Sequence, residues 1–301
     1  MINGIMTIFK EEGFTSHDVV AKMRGICGQK KIGHTGTLDP MATGVLPVCL
    51  GSATKLCDML ADRDKEYVAE LLLGVETDTQ DRTGKILAQH PVTVTEAEVR
   101  QAAASFQGEY QQIPPMYSAL KVNGKKLYEL ARAGKEVERK SRPVTIYELE
   151  ILECALPAVR FRVVCSKGTY VRTLCADMGQ ILGCGGTMNS LQRTRVGEFR
   201  LEDACRLGEL QLLRDEGRLT EVLRPVDSVF QDCPLLHIRP EYSRLADNGN
   251  AFAWEHTTEM QRYPEGKWVR VYRNDDRFIG IYAWDRDRKR YQPVKMFLEK
   301  E

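Results

Sequence analysis

Asp39 stands in the stretch GHTGTLDPMATGVLPVCLG, Gly33 to Gly51, which holds four glycines, two prolines and His34 five residues earlier. A carboxylate held by stiff backbone can act as a nucleophile, a base or a stabiliser of positive charge. Other chemistries fit less well. A phosphate-cradling loop needs a terminal Gly-Lys-Ser/Thr, and this stretch has no lysine. A metal site needs a cluster of ligands, and a serine hydrolase needs G-x-S-x-G. Asp39 ahead of Pro40 also fits a plain turn or cap residue, and His34 a hydrogen bond within that turn. The length of the constrained run favours a reactive group, because Gly33, Gly36, Gly44 and Gly51 with Pro40 and Pro47 restrict nineteen consecutive residues.

The flanking sequence supplies elements to position this stretch. An apolar run at the start precedes a helix from Ser16, which can cap it, with Val19, Val20 and Met23 on one face. EYVAELLLGVETDTQDRTGKI reads as a strand closed by a polar turn, and Thr95 with Glu98 has capping-box spacing for the helix after it. VRFRVVCS alternates Val159, Phe161 and Val163 with Arg160 and Arg162, a half-exposed strand. It leads into KGTYVRTLCADMGQILG, where Val171, Leu174, Cys175 and Met178 recur at helical spacing before Gly183. The irregular alternation predicts a mixed α/β fold rather than a doubly wound sheet. A break near RPVDSVFQDCPLL precedes KWVRVY, RFIGIYAW and RYQPVKMF, three short strands of a small β appendage. The expected domains are therefore 1–232 and 233–301.

With 301 residues, 43% hydrophobic and 28% charged, the chain has the makings of an ordinary globular protein. Nine scattered cysteines show no C-x-x-C pair, which fits a reducing compartment. The start carries no basic leader and no run reaches membrane-spanning length, so a cytoplasmic location is expected. The net charge of +1 hides an imbalance. Residues 118–144 carry eight Lys/Arg against three Glu, a local +5 that leaves −4 for the rest. This segment reads either as a solvated helical hairpin or as an arm gripping a phosphate backbone.

GHTGTLDPMATGVLP closely resembles the catalytic motif of the bacterial TruB-type tRNA pseudouridine synthases, which modify uridine 55 of the T arm. INGIMTIFKEEGFTSHDVV, DKEYVAELLLGVETDTQDRTG, PPMYSALKVNGKKLYELARAG, CSKGTYVRTLCADMG and NSLQRTRVG resemble further family motifs, in the family's order. The resemblance covers about residues 2–230, and the β appendage more weakly resembles the family's RNA-binding PUA-type domain. It implies a catalytic domain built on a central mixed, largely antiparallel sheet. One departure is that Glu11 follows Lys10 where the family usually has proline, placing a carboxylate near a strand end that normally packs beneath the catalytic loop.

The resemblance implies that Asp39 is the catalytic carboxylate and that Arg172 pairs with it bidentately, lowering its pKa. Tyr67 then stacks on the target uracil and handles a proton, while Tyr170 and Leu191 line the pocket. His34 becomes a wedge filling the space of the flipped base. Lys10, Lys125 and Lys126 complete the binding set, the last two in the basic segment 118–144 acting as a thumb over the T loop. Attack at C1′, addition at C6 and elimination through a glycal all remain open routes. No cofactor, metal or obligate protein partner is implied; the partner is tRNA, and the chain is expected to be monomeric. The alternatives are a noncatalytic tRNA-binding or folding protein on the same scaffold, and a glycosidase. The latter needs a second carboxylate that the motifs do not supply.

Overall fold

The structure is a computed structural model describing residues 1–122 and 124–298. Asn123 of the basic segment and residues 299–301 of the C-terminal segment lie outside these described residues. The chain begins with β1 (Gly4–Lys10), α1 (Ser16–Cys27), β2 (Ile32–His34), β3 (Thr43–Leu50) and α2 (Cys57–Ala61). It continues through β4 (Lys65–Leu73), β5 (Val75–Thr77), β6 (Ile86–Gln89), α3 (Glu96–Ala104) and β7 (Gly108–Gln112). The basic segment forms a small hairpin, β8 (Lys121–Val122) and β9 (Lys125–Lys126), and then α4 (Leu127–Arg132). Next come β10 (Arg142–Ala155), β11 (Ala158–Cys165), α5 (Val171–Ile181), β12 (Gly186–Val196), β13 (Phe199–Arg200) and α6 (Leu207–Asp215). The last elements are β14 (Leu235–His237), α7 (Ser243–Asp247), β15 (Trp268–Tyr272), β16 (Phe278–Asp285) and β17 (Arg290–Met296).

Nine strands form one mixed sheet in the order β1-β3-β12-β4-β11-β10-β7, with β2 beside β3 and β13 beside β12. Only the β3–β12 junction within it is parallel, pairing Thr43 with Gln192 and Gly44 with Arg193. Strand β4 alternates cleanly: Lys65, Tyr67, Ala69, Leu71 and Leu73 are buried on one face. Helices α3 and α5 cover that face, with Val99, Val171, Leu174, Cys175 and Met178 in the shared core. Helices α1 and α6 close a second core over β1 and β3.

Three local expectations change. The cap of α1 is Thr15, in a reciprocal capping box with Asp18, while Ser16 is buried inside the first turn. Thr95 and Glu98 do form the expected box on α3. The expected nineteen-residue loop is a loop only between β2 and β3, and its second half is strand. Pro47 is tolerated where the neighbour of β3 changes from β12 to β2, a gap in the ladder that needs no N–H. Gly44 and Gly51 have φ of +106° and +60°, so they need glycine's freedom, and the backbone of Arg193 leaves no room for a Cβ on Gly44. The C-terminal sheet has four strands, β14-β15-β16-β17, with the unexpected β14 parallel to β15. Its residues Ile281 and Phe297 share a core with Phe230, Ile5, Val45 and Cys49 of the main body.

Candidate active site

The loop between β2 and β3 is pinned from several directions. The buried Ser16 hydroxyl accepts from Leu38 N–H at 2.9 Å, and Gly13 N–H donates to the Pro40 carbonyl at 2.9 Å. Lys10 Nζ donates to the carbonyls of Glu11 and Pro40 at 3.1 and 3.2 Å. Lys10 is 0% exposed, so it holds the loop from beneath instead of facing RNA as expected. Burial lowers its pKa to about 8, with Asp39 opposing and Arg193 adding to the fall. The departure at Glu11 is absorbed at the surface, where its carboxylate pairs with Arg206 at 2.8 Å.

Helix α5 is fixed at its entry by Gln112 of β7, which accepts from Tyr170 N–H at 2.8 Å and donates to the Tyr170 carbonyl at 3.0 Å. This places Arg172, 5% exposed, in the first turn of α5 and facing Asp39. The contact is not the expected two-nitrogen fork. Arg172 Nη2 alone reaches both oxygens of Asp39, at 3.3 and 3.1 Å, and also donates to the Tyr117 carbonyl at 2.9 Å. Its Nη1 lies 3.6 Å from Asp81. Burial raises the pKa of Asp39; Arg172 and Lys10 pull it down, and Asp81 adds to the rise. The expected lowering by the arginine is present, but desolvation exceeds it.

Asp81 is a second carboxylate that the motifs do not single out, since DTQDRTG reads as a surface turn. Met188 of β12 ties that turn down, its N–H donating to the Gln80 carbonyl at 3.0 Å and its carbonyl accepting from Arg82 N–H at 2.9 Å. Asp81 Oδ1 accepts from the hydroxyls of Thr79 and Thr83 at 2.8 and 2.6 Å and from Thr83 N–H at 2.9 Å. Its other oxygen lies 3.6 Å from Arg172 Nη1, so Asp81 and Asp39 share one cation at the cavity.

Asp39, Tyr67, Tyr170, Arg172 and Leu191 all line one cavity of about 790 Å³, within the range of small-molecule sites. Tyr128 and Arg132 of the basic segment line it too, so this segment lies against the cavity mouth. The Arg172 guanidinium is 5.8 Å from the Tyr170 ring. His34, Lys10, Lys125 and Lys126 lie outside the lining. His34 is half-buried on β2, with His17 set edge-on at 5.2 Å. Gly36 N–H donates to His34 Nδ1 at 3.3 Å, leaving the ring proton of the neutral form on Nε2. Burial lowers its pKa, with His17 and Arg193 acting the same way. Lys125 is exposed, and Lys126 Nζ lies 5.4 Å from the Tyr128 ring. Among the described residues no group of His, Cys, Asp and Glu is arranged to hold a metal.

Comparison with known proteins gives this geometry a family. Residues 24–171 match the TruB family pseudouridylate synthase (N terminal domain), and residues 172–231 match the tRNA pseudouridylate synthase B C-terminal domain. The chain belongs to the TruB family of pseudouridylate synthases. Two relatives, each called tRNA pseudouridine synthase B, agree over almost the whole chain. That of Lachnoclostridium phytofermentans is 51% identical over 99% of this chain and 100% of its own. That of Alkaliphilus oremlandii is 47% identical over 100% of both. Among solved structures, an H/ACA ribonucleoprotein bound to a substrate RNA containing 2′-deoxyuridine aligns with TM-score 0.72 and 25% identity, over 99% of this chain and 86% of that one. The two TruB segments meet between residues 171 and 172, so the Asp39–Arg172 pair bridges them.

Proposed function

We propose that this TruB-family chain isomerises uridine 55 in the T arm of tRNA to pseudouridine, with Asp39 as its catalytic carboxylate. The observation that carries the reading is the pair of half-buried Asp39 and buried Arg172, which lines a cavity of about 790 Å³ with Tyr67, Tyr170 and Leu191. The C1′–N1 bond breaks, the uracil turns, and a C1′–C5 bond forms; C5 gives up a proton and N1 gains one. Asp39 meets C1′ or its neighbouring proton, and Arg172 keeps the carboxylate charged and aimed. The target base must leave its stack, which costs a few kcal/mol, and neutral His34 fills the gap at the cavity rim. Lys125, Lys126 and Arg132 grip phosphates, and the C-terminal segment, residues 233–301, acts as a PUA-like RNA-binding domain beside the catalytic domain, residues 1–232.

The names of the relatives support tRNA as the substrate. Nine free cysteines fit a cytoplasmic setting, and among the described residues no helix is long and apolar enough to cross a membrane. A binding-only role leaves the carboxylate–arginine pair at the cavity without a use. The test is tritium release from tRNA labelled with [5-³H]uridine. The expected result is release of tritium with no free uracil. Free uracil would indicate a glycosidase, and binding without release a noncatalytic protein.

A further inference from the structure

Arg193 is the largest fully buried side chain described, 1% exposed. Its Nε donates to the Val45 carbonyl at 2.7 Å and its Nη2 to the Gly36 carbonyl at 3.4 Å, one on each side of the loop that carries Asp39. Yet among the described residues no carboxylate lies within 4.0 Å of its guanidinium, while Asp39 and Asp81 share Arg172. A buried cation without a counter-ion is expensive, of the order of several kcal/mol. A few neutral carbonyls could be satisfied more cheaply by a neutral donor, so the positive charge itself asks for a use.

The position of Arg193 suggests that use. It is the cross-strand partner of Tyr67, both line the cavity, and the two side chains act on each other electrostatically. The Tyr67 pKa is raised, chiefly by burial, so the phenol keeps its proton at neutral pH. A cation beside the phenol favours the orientation in which its oxygen faces the guanidinium and its O–H points into the cavity as a donor. Lys65, also buried on the same face of β4, adds a second positive charge nearby, its Nζ held by the Ala61 carbonyl at 2.6 Å.

In the reaction proposed above, the electron pair of the C1′–N1 bond departs with the base, and the uracil is an anion until C5 attacks C1′. We propose that Arg193 is a positioning residue that stabilises this uracil anion through the Tyr67 hydroxyl, which donates a hydrogen bond to it without giving up its proton. The structure thus divides the labour: Arg172 serves the carboxylate, and Arg193 serves the departing base. Nothing is oxidised or reduced, and the phenol ends each turnover as it began.

The inference rests on the reading of the chain as a tRNA uridine isomerase. Its test uses T-arm RNA with uridine or 5-fluorouridine at the target, because 5-fluorouracil is the more acidic base and leaves as a more stable anion. Single-turnover consumption of the target nucleoside is followed for wild type, Arg193→Gln, Arg193→Lys, Tyr67→Phe and the Arg193→Gln/Tyr67→Phe double variant. On uridine, Arg193→Gln should lose about 100-fold, as for removal of one preorganised charge-stabilising donor, with RNA affinity changed less than about threefold. Arg193→Lys, which keeps the charge, should lose less. The Arg193→Gln defect should shrink by about tenfold on 5-fluorouridine, and the double variant should be no worse than the poorer single one. Equal defects on both substrates, or multiplying defects in the double variant, would overturn the proposal, since loosened packing is indifferent to the leaving group. Should Arg193→Gln fail to fold by its melting curve, Tyr67→Phe decides alone: its defect must also shrink on 5-fluorouridine. A wild type inactive on both RNAs while binding them would refute the isomerase reading, and the anion proposal with it.

Discussion

The loop carrying Asp39 and the basic segment 118–144 both border the cavity, but they are held in opposite ways. The loop is bound by side chains from four other elements: Lys10 of β1, Ser16 of α1, Arg172 of α5 and Arg193 of β12. The basic segment is tied largely through its own backbone, with Leu127 N–H on the Leu120 carbonyl and Tyr128 N–H on the Ser118 carbonyl. It buries Leu127 but exposes Lys121, Lys125, Arg132, Lys135 and Lys140. A reacting carboxylate needs its position fixed to a fraction of an ångström, whereas a phosphate grip needs charge within reach of a flexible chain. The difference assigns rate to the loop and affinity to the arm.

Removing Arg172 should show the largest effect on the rate side. Arg172→Ala leaves Asp39 and Asp81 facing each other without their shared cation, so the single-turnover rate should fall by at least about 100-fold. The active form of Asp39 is the carboxylate, so activity falls as pH drops through its pKa. Arg172 holds that pKa down against burial. Its loss should therefore move the acid limb of the pH–rate profile to higher pH. A limb that stays in place would separate Asp39 from that titration. The arm should respond on the other axis. Reversing Lys125, Lys126 and Arg132 to Glu should weaken tRNA binding and flatten its salt dependence by about 0.7–0.9 log unit for each phosphate no longer neutralised, with the saturated rate little changed. A salt slope equal to that of wild type would make the arm a solvated face. The smallest effect belongs to Ser16→Ala. It strands the buried Leu38 N–H, which should cost about 1–3 kcal/mol in urea unfolding, with the catalytic rate reduced far less than by Arg172→Ala.

The two regions also differ in how much of them could be read from sequence. Local patterns carried far: the Thr95–Glu98 box, the alternation of β11 and the apolar face of α5 are fixed by neighbours in the chain. The arm was legible as charge, and as a helical hairpin or a gripping arm, but not as a β-hairpin followed by a helix with a buried Leu127. The loop was legible only in part. Glycine and proline punctuation concealed that TGVLPVCL is a strand, because what tolerates Pro47 there is a change of neighbouring strand far away in sequence. Ser16 looked like a cap when its hydroxyl is spent on Leu38, while Thr15 and Asp18 form the box one residue earlier. Asp81 was hidden in a polar turn, and Arg193 in RTRV, where alternating arginines suggest a solvent-facing strand. Tertiary burial alone makes one a partner of Arg172 and the other a buried cation paired across the strands with Tyr67.

The most direct measurement of the central claim is single-turnover tritium release from [5-³H]uridine tRNA by Asp39→Asn, with enzyme in excess and binding measured alongside. The substitution is nearly isosteric but removes the charge. The account predicts that the variant binds tRNA about as well as wild type and releases no tritium above background. Residual turnover above about a hundredth of the wild-type rate, the lower end of what one positioned acid–base group contributes, would contradict the assignment of Asp39 as the group that drives the rearrangement.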